Sequence, residues 1–233
     1  MIDEQWSRPA LLLGQAGVEI LQASHVLVAG CGAVGSFAIE ALVRSGVGKL
    51  TLIDHDSVEA SNLNRQLCAL HSTIGQKKTQ VLAQRIADIN PKAVVIQKNT
   101  FIDDTTAPDL LADDSVDFVI DAIDSLDSKA AFIKHLQNRK RHFVSSMGAA
   151  RKTQPDKVRV VSMSKTAYCP LASALRKRLR AQNVSLDFPC VCSLEPAQQK
   201  NATTLGSLVT VTGVFGLMAA SEAISYLLNR KTP

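Results

Sequence analysis

A glycine-rich loop between a buried strand and a helix constrains the fold of this chain more than any other feature. The loop reads GCGAVG, which is the pattern G-x-G-x-x-G. Its first glycine permits a tight turn, its second lets the backbone approach a phosphate, and its third lets the helix pack on the strand. The helix N-terminus then offers unpaired N–H groups to an anion. The pattern predicts a nucleotide-binding fold whose phosphate site includes Gly30, Gly32, Ala33, Val34 and Gly35.

Strand-like and helix-like segments alternate along the first 150 residues. Short apolar runs alternate with longer amphipathic segments, which is typical of right-handed βαβ units and a parallel sheet. The predicted strands are 25–30, 49–54, 93–98 and 142–147, and a further strand with its exit loop occupies 117–124. The predicted helices are 33–48, 73–91 with Thr73 as a candidate N-cap, 105–112 and 128–140.

The second half of the chain predicts a smaller addition to this sheet. We expect further strands at 158–164 and 188–194, and a basic helix at 170–182. The run 201–221 carries no charge and is long enough to span a bilayer. Its Thr, Ser and Gly content favours a helix buried against the sheet, so we expect no integral membrane span. The predicted fold is α/β: a Rossmann-like, mostly parallel sheet flanked by helices, with C-terminal strands and a buried C-terminal helix.

The charge of the chain is unevenly distributed. The net charge is +5, yet residues 129–180 contain 14 Lys and Arg and one acid, whereas residues 103–127 contain nine Asp and no Lys or Arg. These segments are either solvated faces of opposite sign or, for the basic one, a surface for a polyanion such as RNA. Five irregularly spaced cysteines and no signal peptide favour a reducing, cytoplasmic location.

One acid and two cations follow the glycine loop in positions that suit a nucleotide. Asp54 ends the second strand, 24 residues after the first glycine, where a ribose hydroxyl acceptor is expected. Arg65 and Lys78 lie near the carboxyl ends of the strands. Hydride transfer needs no such pair, whereas cleavage of a triphosphate requires charge on the α-phosphate and the departing pyrophosphate to be neutralised. The alternative for Arg65 is a surface ion pair with Asp56 or Glu59.

Two acids and two cysteines have competing interpretations. Asp121 is a candidate cap for the helix that follows it, and Asp124 could hold Mg²⁺ that bridges phosphate oxygens. Either acid could instead be an ordinary cap or turn residue. Cys190 and Cys192 form C-x-C on one face of a predicted strand. They are either a persulfide or thioester site or small apolar core residues. The five histidines show no metal-binding spacing, and the absence of a C-x-x-C pair argues against structural zinc.

Four segments resemble a known enzyme family. GCGAVG, LIDHDSVEASNLNRQ, GQKK and DAID occur in this order and with matching spacing in adenylating enzymes related to the activators of ubiquitin and of bacterial sulfur carriers. The resemblance implies that Asp54 binds the ribose of ATP and that Asn62, Arg65 and Lys78 hold the triphosphate. It also implies that Asp124 serves Mg²⁺ and the transition state.

The resemblance covers nearly the whole chain and extends to its N-terminus. It implies one ATP-binding adenylating domain over 1–233, with a core at about 22–150 and a substrate and dimer region at about 151–233. QWSRPALLLG resembles the segment that carries an arginine across a dimer interface, which implies a homodimer in which Arg8 reaches the partner's site. The matching segments add Asp56, Gln66 and Ser125 to the ATP site.

Within this family, three later segments are similar to one branch. CPLASALRKRLR, CVCSLEP and LGSLVTVTGVFGLMAASEAI resemble the tRNA threonylcarbamoyladenosine dehydratases. That resemblance implies ATP-dependent cyclisation of threonylcarbamoyladenosine beside the tRNA anticodon, through an acyl-adenylate. The alternatives are an activator of a ubiquitin-like sulfur carrier and a redox-sensing module that binds NAD. The residues leave open whether a sulfur-relay protein docks.

Overall fold

A seven-stranded sheet organises the chain, and the computed structural model describes residues 3–196 and 205–230. The strand order is β3-β2-β1-β4-β5-β7-β6, and all neighbours pair in parallel except β6 and β7. The predicted mostly parallel α/β sheet is confirmed. The strands are β1 (His25–Ala29), β2 (Lys49–Ile53), β3 (Val94–Lys98), β4 (Phe118–Asp121), β5 (Phe143–Ser146), β6 (Val158–Ser162) and β7 (Pro189–Ser193).

Helices cover both faces of the sheet. They are α1 (Ser7–Ala23), α2 (Gly35–Arg44), α3 (Lys78–Ile89), α4 (Ala107–Leu110), α5 (Leu126–Asn138), α6 (Pro170–Ala181) and α7 (Val209–Asn229). Because side chains of a strand alternate between faces, β1 contributes Val26 and Val28 to a core with α2, α3 and α7. Its Leu27 and Ala29 join a second core with α4, α5 and α6. Burial on both faces explains why the central strands read as continuous apolar runs.

The C-terminal helix α7 is part of the first core, as predicted. At 21 residues, α7 is long and apolar enough to cross a membrane, but half of its most apolar stretch is buried inside the fold. Gly216 lets α7 approach the glycine loop, because a Cβ there would lie 2.3 Å from the Val34 carbonyl oxygen. The helix begins at Val209, later than the uncharged run, whose residues 201–204 lie outside the described part of the chain.

Two expectations about helices were wrong or incomplete. The helix predicted from residue 73 begins at Lys78, because residues 75–77 pair with the loop after β2: the N–H of Gly75, at φ +88°, donates to Val58. Thr73 lies in a separate one-turn 3₁₀ helix and is no cap of α3. Helix α1 was not predicted from the sequence, and it is interrupted at Gly14, where φ is +72°.

Candidate active site

A cavity of about 500 Å³ lies at the carboxyl ends of the central strands. This is where ligands of open α/β sheets bind, and the volume suits a small-molecule ligand. The predicted site residues that line it are Gly30, Gly32, Ala33, Val34, Asp54, Asp56, Arg65, Gln66, Lys78, Asp124 and Ser125. Segments distant in sequence therefore converge on one space.

The glycine loop forms one end of this cavity. Gly30 has φ +89°, a conformation that favours glycine. A Cβ on Gly35 would lie 1.8 Å from the Gly30 carbonyl oxygen, so helix α2 can pack on the loop only with glycine there. A Cβ on Gly32 would meet only the Gln66 side chain, at an ordinary contact distance of 3.7 Å, so alanine fits here without a clash. The N-terminus of α2 begins at the loop and is oriented to accept an anion.

Asp54 connects the end of β2 to the glycine loop. Its Oδ2 accepts the Cys31 backbone N–H at 2.7 Å, and its Oδ1 accepts the Asp56 N–H at 2.8 Å. These bonds fix a nearly buried carboxylate at the cavity wall, 9% exposed. Each oxygen keeps a lone pair that can accept a hydroxyl of a ligand.

Lys78 is a buried cation whose ammonium is held by Asp56. The Nζ–Oδ2 distance is 2.7 Å, and the Lys78 side chain is 6% exposed while that of Asp56 is 50% exposed. Burial opposes the ammonium, but the Asp56 hydrogen bond and the charge of Asp54 outweigh it, so the pKa of Lys78 is raised. The same bond overcomes the effect of burial on Asp56 and lowers its pKa. Lys78 is thus charged at neutral pH and lines the cavity with two further N–H donors.

Arg65 does not form the surface ion pair considered as its alternative. Its guanidinium donates to the Ser61 carbonyl and to the Asn64 side chain, both at 2.8 Å, and it lines the cavity. Neither Asp56 nor Glu59 is its partner, since Asp56 pairs with Lys78 and His55. Within residues 3–196 and 205–230, Arg65 has no ion-pair partner, so it brings a positive charge to the cavity wall.

The loop after β4 brings an unpaired carboxylate to the opposite wall. Asp124 is exposed, lines the cavity, and has no hydrogen-bond or ion-pair partner within residues 3–196 and 205–230. Asp121 is not the cap of α5 that the sequence suggested. It ends β4 fully buried and pairs with Lys129, because the loop turns away before the helix begins at Leu126.

Three predicted residues lie outside the cavity wall. Gly35 lets helix α2 pack against the glycine loop, as described above. Asn62 is buried and accepts the Glu59 N–H with its side chain, so it shapes the turn before Arg65. Arg8 is exposed in the first turn of α1, away from the cavity of its own chain.

The cavity also includes residues that sequence reasoning missed. Residues 100–102 lie just after β3, and residues 146–150 include the last residue of β5 and the segment after it. The rule that ligands bind at the carboxyl ends of strands could have identified both segments. Leu171 at the start of α6, and Ser207 and Thr212 near the start of α7, complete the wall. These last residues lie in two segments, CPLASALRKRLR and LGSLVTVTGVFGLMAASEAI, whose resemblance indicated a branch of the family but no role at the site.

Among the described residues, one group has ligand atoms close enough for a metal ion. Asp54, His55 and Asp56 place them within 4.8 Å of one another. Histidine spacing in the sequence did not indicate this group, because it depends on the turn after β2. Its two acids already bind backbone N–H groups and Lys78, so their oxygens are largely engaged.

The five described cysteines are buried and reduced. Burial raises the pKa of Cys190 and of Cys192, and neither residue lines the cavity. Cys190 Sγ lies 3.6 Å from Met163 Sδ within the second core. These thiols have the properties of small apolar core residues.

The basic segment 129–180 is less basic at its surface than its composition suggested. Lys129 is fully buried, and Lys152 is 2% exposed. Arg178 pairs with Asp127, and Arg141 pairs with Asp114, so the acidic segment 103–127 compensates part of the charge.

A glycine loop, the carboxylate of Asp54 and the cations Lys78 and Arg65 around one cavity are the features of a nucleotide-binding site. Comparison with known proteins agrees with this interpretation. The ThiF family model matches residues 6–233, and the chain belongs to this family. A tRNA threonylcarbamoyladenosine dehydratase of Bacillus subtilis is 44% identical, over 82% of this chain and 75% of the relative. The resemblance stated from the motifs is confirmed.

A solved structure and a second group of relatives are also similar to this chain. The crystal structure of the Escherichia coli tRNA N6-threonylcarbamoyladenosine dehydratase in complex with ATP superimposes with a TM-score of 0.90 at 34% identity, covering 97% of this chain and 96% of that one. A molybdopterin-synthase adenylyltransferase of Salmonella typhimurium is 30% identical, over 93% of this chain and 78% of the relative.

Proposed function

We propose that this chain catalyses the ATP-dependent cyclisation, by loss of water, of threonylcarbamoyladenosine beside the tRNA anticodon. The observation that carries this proposal is the convergence of a glycine loop, Lys78 and Arg65 on one cavity, opposite the unpaired carboxylate of Asp124. The similarity to tRNA threonylcarbamoyladenosine dehydratases over most of the chain supports the choice of substrate.

Each part of the cavity has a role in binding ATP under this proposal. Asp54 accepts a ribose hydroxyl, and the backbone at Gly32 with the N-terminus of α2 receives phosphate oxygens. Lys78 and Arg65 contribute two positive charges to the triphosphate. Gln66 and Ser125, which also line the cavity, offer neutral donors and acceptors.

The reaction has two steps. An oxygen of the threonyl carboxylate attacks the α-phosphorus of ATP, and the bond from that phosphorus to the departing pyrophosphate breaks. Lys78 and Arg65 stabilise the charge that develops on the phosphates. A nitrogen of the same modification then attacks the acyl carbon and loses its proton, and AMP leaves with one carboxylate oxygen. The second step is intramolecular, so proximity supplies much of its rate.

The residues present fit a magnesium ion. Mg²⁺ prefers one or two carboxylates together with phosphate oxygens, and Asp124 offers a carboxylate that faces the cavity without a competing partner among the described residues. Asp124 would hold the ion, which would supply charge neutralisation at the phosphates. The Asp54–Asp56 group is less suited because its acids are engaged.

Helix α6 supports tRNA as the substrate. Its first turn contributes Leu171 to the cavity, and further along it Lys177 and Arg180 are exposed without an ion-pair partner in the described residues. Cations on a helix that begins at the site suit the sugar-phosphate backbone of a nucleic acid whose modified base enters the cavity.

The N-terminal helix supports a homodimer of the whole chain, acting as one adenylating domain. Leu11 and Leu12 are 89% and 84% exposed, next to Arg8 on α1. Exposed adjacent leucines are unfavourable on a monomer and favourable in an interface. Arg8 would reach the ATP site of the second copy.

Mass spectrometry of nucleosides tests the proposal against its nearest alternative. The protein is incubated with ATP, Mg²⁺ and tRNA that carries threonylcarbamoyladenosine. A nucleoside lighter by one water, formed only with ATP, supports the dehydratase. An unchanged nucleoside, together with ATP–pyrophosphate exchange only when a ubiquitin-like carrier protein is added, would instead identify a carrier activator.

A further inference from the structure

A fully buried ion pair lies directly behind the cavity. Lys129 Nζ is 2.8 Å from Asp121 Oδ2, and both side chains are 0% exposed. Lysine is almost never fully buried. Removing two charges from water is costly, and an apolar pair of similar size would often stabilise a fold equally well or better. Stability alone therefore gives a weak reason for these residues.

The pair holds both backbone polar groups of one residue in the next loop. The Ile123 N–H donates to Asp121 Oδ1 at 3.1 Å, and the Ile123 carbonyl accepts from Lys129 Nζ at 2.9 Å. Ser145 on β5 donates to Asp121 Oδ2 at 2.6 Å and fixes the carboxylate from the other side. The peptide groups around Ile123 are thereby clamped between β4 and α5.

Ile123 directly precedes Asp124, whose side chain has no partner of its own within residues 3–196 and 205–230. Among the described residues, only the backbone of this loop therefore determines which positions the carboxylate can reach. We propose that Lys129, with Asp121, is a positioning residue that fixes the 122–125 loop and so aims Asp124 into the cavity. The inference deepens the proposed function, on which the role of Asp124 rests.

The first test compares turnover with ATP affinity. The double variant Lys129→Met, Asp121→Asn removes both buried charges together, so neither is left uncompensated. We expect kcat to fall about 10- to 100-fold, because small displacements of a reacting group have effects of this size, while the Kd for ATP changes less than about three-fold. Lys129→Arg, which keeps the charge and a donor, should recover part of kcat.

One control separates positioning from general stability. Leu136→Ala, in the same helix α5 and fully buried, should lower the melting temperature and leave kcat within about three-fold. A double variant that loses no more kcat than Leu136→Ala, or that loses ATP affinity in proportion to kcat, would overturn the proposal.

Hydrogen exchange tests the clamp in the wild-type protein without tRNA. The Ile123 amide should exchange within about ten-fold of the Val119 amide, which bonds to His142 inside the sheet. Exchange at the rate of a free loop amide would contradict the clamp. Neither this measurement nor ATP affinity needs turnover of tRNA. Both measurements can therefore be made even if the protein does not cyclise the nucleoside. If the double variant does not fold, hydrogen exchange in the wild-type protein still tests the clamp.

Discussion

Replacing Lys78 with methionine should separate the effect of this residue on catalysis from its effect on stability. Methionine keeps most of the apolar stem that is buried at this position but removes the ammonium. The lost hydrogen bond to Asp56 has one half-exposed partner, so solvent screens it and its loss should cost about 1 kcal/mol of stability. In a domain of this size, that corresponds to a decrease of about 2–4 °C in Tm.

The expected effect on the reaction is larger. A charged donor at the site of phosphate displacement contributes about 2.7–4 kcal/mol to transition-state stabilisation, so Lys78→Met should lower kcat by about 100- to 1000-fold. ATP–pyrophosphate exchange in the presence of modified tRNA, measured beside a thermal melt, compares the two effects in one preparation.

The neighbouring residue offers a matched control. Lys77 is exposed, donates to the His55 carbonyl at 2.7 Å, and does not line the cavity. Lys77→Met should stay within about three-fold of the wild-type rate. Equal losses in the two variants, or full turnover in Lys78→Met, would refute the assignment of Lys78 to the phosphates.

Three further predictions follow from other parts of the fold. Gly35→Ala should lower Tm and abolish ATP binding, because the added Cβ would lie 1.8 Å from the Gly30 carbonyl oxygen. Gly32→Ala should melt near the wild-type Tm and weaken only ATP binding. Identical melting and titration curves for the two variants would contradict this difference. Burial and Lys49 lower the pKa of His25, so the folded state binds its proton less tightly than the unfolded state. Stability should therefore be complete above the unfolded pKa of about 6.5 and fall as the pH decreases through that value, and urea midpoints that show no such fall in wild type relative to His25→Gln would disprove it. Cys190→Ala should retain turnover in the nucleoside assay, since its thiol is buried in the core, and complete loss in a folded variant would restore a catalytic role.

The sequence predicted the sheet and part of the site because both depend on local patterns. The alternation of apolar runs and amphipathic segments, together with the glycine loop, specified the parallel sheet and the end of β2 where Asp54 lies. The predicted start of α3 was wrong because residues 75–77 pair with the loop after β2, and this tertiary contact cannot be seen in the local sequence. Charge counting likewise misjudged Lys129, which looked like part of a basic surface and is fully buried.

Short motifs did not identify the far wall of the cavity, although the position of residues 146–150 at the end of β5 could have done so. Residues 146–150 and Thr212 reach it only because β5 lies beside β4 and because α7 packs on α2 next to the glycine loop. No short pattern marks a residue whose role depends on which strands become neighbours. The place of Arg8 is of the same kind, since it depends on a second copy of the chain.

An isotope-transfer experiment tests the central claim most directly. Modified tRNA whose threonyl carboxylate carries a heavy oxygen isotope is converted by the wild-type protein, and the nucleotide products are weighed. Attack of the carboxylate on the α-phosphorus predicts one heavy oxygen in AMP for each cyclised nucleoside. Heavy oxygen in inorganic phosphate with ADP as the other product, or cyclisation with unlabelled AMP, would contradict adenylation at this site.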